Sequence, residues 1–275
     1  MPVLVSIGPL RIYSMGLMMV LALLLAMFVV WKKMREIHVE DEMTFGVIFF
    51  GLFWGLIGAR LGYIVSHFGD FGFSVLRWLW VTNYVGLSFF GGLLFGVVAV
   101  VMRLRSLGEE VFKWLDYISL GLSLGIGIGF LGAFLNGSYL GVESDLFLAM
   151  SFPGWERGML PIQLFAGLAF LGFFGWWWRI EGKYRTFEWY RSGKVTVRSG
   201  FMWFGFLIFL GLVFGLTSLV KKEILTAFGF NLDLVISILV SLIGVGGIYL
   251  RSGRKLDEDL GLIVGRKRRQ QRRFF

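Results

Sequence analysis

Few side chains in this sequence can bind or move charge inside apolar surroundings, and they fall in three places. Arg60, within GARLGYIVSHF (58–68), is the one Lys, Arg, Asp or Glu that interrupts a long apolar run. A charge near the centre of a membrane helix costs about 2.5–3.5 kcal/mol, so Arg60 needs a partner, and no predicted span offers a carboxylate. A guanidinium binds phosphate through two parallel N–H bonds, which makes an anionic lipid headgroup the natural counter-ion. Snorkelling, or capping of backbone carbonyls, is the alternative. The second place is GFLGAFLNGSYLG (129–141), where Asn136-Gly137 is a turn signal in otherwise apolar sequence. Backbone and amide groups there must be satisfied by protein, water or ligand. In the third, Pro161-Ile162-Gln163-Leu164, a proline opens a helix and a polar Gln sits just inside the membrane. The histidines are two, His38 and His67, and His67 is the titratable base close to Arg60 in sequence. Cysteine is absent, which excludes disulfides, thiolate metal sites and a cysteine nucleophile from this chain. Two imidazoles are too few for most metal chemistry, so no metal site is expected.

The elements that position these residues are membrane helices. Of 275 residues, 57% are hydrophobic, 39 are Gly and only 16% are charged, well above the apolar share of soluble domains. Uncharged runs cover 12–31, 43–59 with 61–69 beyond Arg60, 78–102, 117–142, 158–178, 199–220 and 234–250. A bilayer-spanning helix needs about 20 residues, and runs such as VLALLLAMFVVW (20–31) lack the alternation of a transmembrane strand. The expected fold is all-α: one membrane domain of seven transmembrane helices over 1–250, followed by a basic cytoplasmic tail, 251–275.

Orientation follows from Lys and Arg alone. Segments 32–44, 103–116, 179–198 and 251–275 hold 3, 3, 6 and 9 of them, whereas the alternate segments hold 1, 1, 1 and 2. The N-terminus is therefore expected outside and the C-terminus in the cytoplasm, with the three polar places near the outer side. The opening MPVLVSIGPLRIYSMG has no basic leader region and no small-residue cleavage site, and is read as uncleaved. The tail RKRRQQRR (266–273) has no stacking platform for nucleic acid and is expected to touch anionic lipid. Glycines four apart, such as Gly51 and Gly55, Gly58 and Gly62, Gly92 and Gly96, and Gly121, Gly125 and Gly129, are expected to let helices approach closely. The last span has no lysine for retinal, no span has the carboxylates of an aspartyl protease, and polar residues are too few for a transporter path.

With those residues in view, the sequence resembles the bacterial prolipoprotein diacylglyceryl transferases. SIGPLRIYSMGLM (6–18) looks like the family's first helix with its leading SIGP, and GARLGYIVSHF is similar to its G-G-R-x-G-Y segment. GLSFFGGLLFG (86–96) looks like G-x-S-x-H-G-G-L, GFLGAFLNGSYLG resembles G-R-x-G-N-F-x-N-G-E-x-x-G, and LPIQLF (160–165) resembles H-P-x-Q-L-Y-E. The resemblance runs from about residue 6 to 220. It implies transfer of the diacylglyceryl group of phosphatidylglycerol to the lipobox cysteine thiol of a preprolipoprotein, in a bacterial cytoplasmic membrane, without metal or cofactor. On that basis Arg60, Gly91, Gly92, Gly137 and Gly141 are expected to bind substrate, and Asn136, Gln163 and His67 to serve the reaction.

Several family positions are replaced. The first-helix tyrosine is Met15, the histidine before Gly-Gly is Phe90, and the signature arginine, asparagine and glutamate are Phe130, Ala133 and Ser138. Phe165 and Ala166 stand for a later tyrosine and glutamate, and a looser alignment puts Gly215 and Leu219 at a late arginine and glutamate. The alternative these replacements raise is a relative that binds lipid or lipoprotein without transfer.

Overall fold

A computed structural model describes residues 3–7, 10–74, 77–78, 86–190, 199–222, 226–227 and 230–252. A short antiparallel hairpin, β1 (Val3–Ile7) with β2 (Leu10–Tyr13), leads into α1 (Ser14–Glu36). Then come α2 (Asp41–Ser66), the one-turn α3 (Phe68–Phe71), α4 (Phe89–Leu107), α5 (Val111–Asn136), α6 (Ile162–Tyr190) and α7 (Phe201–Val220). A two-residue hairpin, β3 (Thr226–Ala227) with β4 (Phe230–Asn231), precedes α8 (Leu232–Arg251). The two hairpins are the departure from an all-helical expectation. The tail from 253 and the connector residues 191–198 lie outside the described residues.

Among the described residues, six helices are long and apolar enough to cross a membrane: α1, α2, α4, α5, α7 and α8. The seventh long helix, α6, carries no charge over 162–178. The long helices alternate in direction, so the start of α1, end of α2, start of α4, end of α5, start of α6, end of α7 and start of α8 share one end of the bundle, called here the first end.

Local signals fix the helix limits. The run 78–102 was expected to be one span, but α4 begins only at Phe89, because Ser88 Oγ accepts the Gly91 N–H and caps it. Gly108 and Gly137, at φ 75° and 67°, end α4 and α5 in the left-handed conformation that glycine adopts without cost. The run 158–178 likewise yields helix only from Ile162, with the Pro161 carbonyl accepting from Leu164 N–H.

Packing pairs α2 with α4, α7 with α8, α1 with α5, and α5 with both α6 and α7. Small residues make these contacts, since lipid supplies no hydrophobic drive for association. On α2, a Cβ at Gly58 would lie 2.2 Å from Phe95 Cβ and 2.7 Å from the Gly91 carbonyl oxygen. On α5, Gly121 faces the Ala26 carbonyl of α1 at 2.7 Å in the same sense. Trp114, Leu120, Phe170, Phe206 and Leu210 fill the core between α5, α6 and α7.

The opposite end has its own polar fixings. Asp116 of α5 accepts the Gly200 and Trp203 N–H groups at 2.6 and 2.8 Å, so one helix supplies the N-terminal cap of another. Lys33 of α1 is buried against Glu181 of α6, bonds Glu36 at 3.2 Å and lies 4.0 Å from the Trp178 ring.

Candidate functional site

At the first end, α2 presents Arg60 to the segment that precedes α4. Its Nε donates to the Trp78 carbonyl at 3.1 Å and its Nη1 to the Gly86 carbonyl at 3.2 Å. The guanidinium also lies 5.3 Å from the Phe71 ring and 6.0 Å from the Tyr63 ring, within cation–π range. Carbonyl capping, the alternative to phosphate, is therefore realised for two of its donors. Tyr63 packs on Gly86 so closely that a Cβ there would be 2.1 Å from the ring. The Ser88 N–H donates to the Ala59 carbonyl at 2.8 Å, closing the segment onto α2.

His67 ends α2. Its Nδ1 donates to the Tyr63 carbonyl at 3.1 Å and its ring lies 4.2 Å from the Tyr63 ring. That bond selects the tautomer with the lone pair on Nε2. His38 sits beyond the end of α1, at the opposite end of the bundle.

Gly91 and Gly92, expected to bind substrate, lie against α2 in this structure. A Cβ at Gly91 would stand 2.6 Å from the Gly58 carbonyl oxygen, and one at Gly92 3.2 Å from that of Gly55. Their physical use is the α2–α4 contact. Gly141 is likewise taken up by loop packing, since its N–H donates to Leu160 and a Cβ would meet Leu160 and Ile162 at 2.9 Å. Gly137 turns the chain out of α5.

The turn after α5 and the start of α6 carry polar atoms of another kind. Gln163 is fully buried, and neither its amide oxygen nor its nitrogen has a hydrogen-bond partner among the described residues. The same holds for Asn136 Oδ1 and for Ser14 Oγ at the start of α1. Leaving such a group unpaired costs about 1–3 kcal/mol. Gln163 lies one turn before Gly167, which packs on Gly127 and Phe130 of α5.

Two of the replaced family positions, Phe90 and Phe130, meet in aromatic packing. Phe90 and Phe130 both contact Phe214, with centroids at 5.2 and 5.6 Å, and Phe89 stacks on Phe214 at 4.7 Å. Phe130 also stacks on Phe170 at 6.0 Å. Of the other replacements, Ala133 and Ala166 are buried, Phe165 is exposed, Met15 faces Gly132, and Ser138 makes only a long 3.4 Å bond to Ala133. Gly215 faces Ser237 of α8 while Leu219 is exposed, so neither turns toward the aromatic cluster.

Beside that cluster lies a polar group that sequence reasoning missed. The Tyr139 ring packs edge-on against Phe130 at 5.4 Å, and its hydroxyl lies 3.2 Å from Thr217 Oγ1. Lys221 Nζ is 4.9 Å from the Tyr139 ring and 3.1 Å from Asp233 Oδ2. Burial pushes the Tyr139 phenol up to about 12, so it remains an O–H donor at neutral pH. The signal was a lysine pair directly after an apolar run, but Tyr139 and Thr217 are 78 residues apart in sequence. A shallow groove lies elsewhere, between α6 and α7, lined by Phe173, Trp176, Gly205 and Leu212. It is apolar throughout and offers nothing to a phosphate.

Comparison with known proteins names the assembly. A model of the prolipoprotein diacylglyceryl transferase family matches residues 2–250. A phosphatidylglycerol–prolipoprotein diacylglyceryl transferase of Bordetella avium is 32% identical over 78% of this chain and 85% of its own length. One of Thermus thermophilus is 33% identical over 56% of this chain and 55% of its own, and one of Francisella tularensis 28% identical over 60% and 63%. The family match covers the helices that hold Arg60, the Asn-Gly turn and the Pro-x-Gln start of α6, and the chain belongs to the prolipoprotein diacylglyceryl transferase family.

Proposed function

We propose that this protein moves the diacylglyceryl group of phosphatidylglycerol onto the lipobox cysteine thiol of preprolipoproteins. Seven helices, α1, α2 and α4 to α8, cross the bacterial cytoplasmic membrane with the first end outside and the basic tail in the cytoplasm. The observation that carries the reading is Gln163, fully buried with an unpartnered amide at the start of α6, at the same end of the bundle as Asn136, whose oxygen is in the same condition at the end of α5. Polar groups left in that state at one end of an apolar bundle suit a substrate with ester, phosphate and thiol groups.

In the reaction the substrate thiol is the nucleophile, in keeping with a chain that has no cysteine. The bond from the glyceryl carbon to its phosphate oxygen breaks, a carbon–sulfur bond forms, the thiol gives up its proton, and glycerol 1-phosphate leaves. Asn136 and Gln163 orient the glyceryl and phosphate oxygens. Arg60 holds the segment that begins α4 and lends positive charge to the departing phosphate. His67, with its lone pair on Nε2, is the base within this end of the molecule.

A second reading has its own observation. Phe90 and Phe130 stand, packed on Phe214, at the positions where the resemblance puts the family's histidine and arginine, and rings neither donate to phosphate nor accept a proton. On that reading the chain binds lipid or lipoprotein without transfer. The test is purified protein with phosphatidylglycerol and a lipobox peptide, read by mass spectrometry. A peptide heavier by one diacylglyceryl group, with glycerol 1-phosphate released, supports transfer. Bound lipid with unmodified peptide supports the second reading.

A further inference from the structure

The aromatic cluster removes cationic charge from two family positions, and the structure holds a cation close by. Lys221 follows the last turn of α7 and is fixed there by backbone pairing. The Val142 N–H donates to Val220 at 2.8 Å, the Lys222 N–H to Leu140 at 3.1 Å, and Gly141 bridges Lys221 across the two segments. The Asn231 side chain donates to the Ser218 carbonyl at 3.1 Å, tying the start of α8 to the same turn. Tyr139 is held at φ 60°, a conformation a bulky residue rarely adopts unless its surroundings enforce it. That backbone turns its ring onto Phe130 and its hydroxyl to Thr217.

The Lys221 ammonium is partly exposed, with 19% of its side chain accessible. It has three N–H donors, of which Asp233 takes one. The Lys221 ammonium thus lies against the Tyr139 ring at the first end, beside the aromatic wall that has replaced the family's arginine, with the Tyr139 O–H donating to Thr217 Oγ1, whose own hydroxyl donates to the Phe214 carbonyl at 3.1 Å.

We propose that Lys221, with Tyr139 beside it, forms the phosphate-binding site of this chain, replacing the positive charge that Phe130 does not supply. The occupant is a phosphate ester: the diester of phosphatidylglycerol or the monoester released from it. The assignment rests on the transferase reading for its substrate, yet it concerns binding and is measured without turnover. Asp233 keeps Lys221 extended toward Tyr139 and gives way when the phosphate arrives.

The experiment is native mass spectrometry of the full chain released from detergent, with phosphatidylglycerol, glycerol 1-phosphate and dioleoylglycerol in separate arms. The variants are Lys221→Met, Lys221→Arg, Asp233→Asn and, as a control for general charge, Arg157→Met, whose side chain is 77% exposed. Loss of one charged donor should weaken phosphate-ester binding about ten-fold or more in Lys221→Met, with Lys221→Arg and Arg157→Met close to the parent. Asp233→Asn separates the roles: a phosphate site is kept or tightened when the competing carboxylate goes, whereas a purely structural ion pair makes Asp233→Asn as damaging as Lys221→Met. Lys221-dependent binding of either ester supports the site and says which source fills it. Equal binding of dioleoylglycerol, or unchanged binding in Lys221→Met, overturns it. Transfer that persists in Lys221→Met overturns this assignment alone, whereas Lys221-dependent binding in a chain that transfers nothing overturns only the transferase reading.

Discussion

Replacing Gly58 with alanine puts a methyl group where α2 and α4 are in backbone contact. The added Cβ would lie 2.2 Å from Phe95 Cβ and 2.7 Å from the Gly91 carbonyl oxygen, against 3.4 Å or more for ordinary contact. Neither atom is the end of a flexible side chain, so the helices must part by roughly 1 Å in a densely packed interface. Overpacking of this kind costs about 1–3 kcal/mol. Gly46 is the internal control: it lies on the same helix with nothing within 4 Å of an added Cβ. There alanine should gain about 0.5–1 kcal/mol from helix propensity. The two variants should therefore differ by about 2–4 kcal/mol. At roughly 2–4 °C per kcal/mol for a chain of this size, Gly58→Ala should melt several degrees below wild type in detergent and Gly46→Ala at or slightly above it. Tryptophan fluorescence during heating reads both. Because Gly91 begins the turn that Ser88 caps, a displaced α4 also disturbs the carbonyls that Arg60 holds, and transfer should fall with stability. A Gly58→Ala protein as stable as wild type, or a Gly46→Ala protein equally damaged, refutes the close-packing argument.

Other substitutions test other parts of the structure. Gln163→Met removes a buried amide without a partner, so it should raise the melting temperature by relieving about 1–3 kcal/mol while reducing phosphatidylglycerol binding; a less stable variant contradicts the unsatisfied state of Gln163. Lys33→Met takes the ammonium from the buried Glu181 carboxylate and should lower the melting temperature, whereas the double variant with Glu181→Leu should recover part of the loss, as thermal unfolding will show. Asp116→Ala removes the cap from two N–H groups of α7 and should cost about 1–2 kcal/mol, with hydrogen exchange rising first at Gly200 to Trp203. Glu143 is held below the usual carboxylate range by its bond to Lys222. Its contribution to anchoring the 142–159 loop is present above the ordinary carboxylate pKa and is lost as pH falls through the lowered one; proteolysis of that loop should rise with acid, and Lys222→Gln should weaken the dependence, leaving the part that Arg157 supports.

The helices were legible because a membrane demands long uncharged runs, and 20–31 or 234–250 admit little else. Their limits were less so. The run 78–102 gives no sign of where α4 begins until Ser88 is seen accepting the Gly91 N–H. For Arg60 the residue type allowed phosphate or carbonyls, and only the fold shows Trp78 and Gly86 brought to it. Gly91 and Gly92 were open to the same ambiguity, because a bare Cα serves a ligand or a neighbouring helix equally well. Each replaced family position could be named from sequence, but the convergence of Phe90 and Phe130 on Phe214 is a tertiary fact. Lys33 with Glu181, 148 residues apart, and Lys221 with Tyr139 belong to that class too: nothing local marks such partners, since only the topology makes them neighbours.

If polar groups at one end of this apolar bundle carry out diacylglyceryl transfer, the protein replaces a missing transferase in living cells. The most direct measurement is rescue of a bacterial strain depleted of its own diacylglyceryl transferase, with the mass of a reporter lipoprotein as the readout. The expected result is a reporter heavier by one diacylglyceryl group, and loss of that modification with Arg60→Ala or with Asn136 and Gln163 both changed to leucine. An unmodified reporter in cells whose membranes contain the folded protein contradicts it.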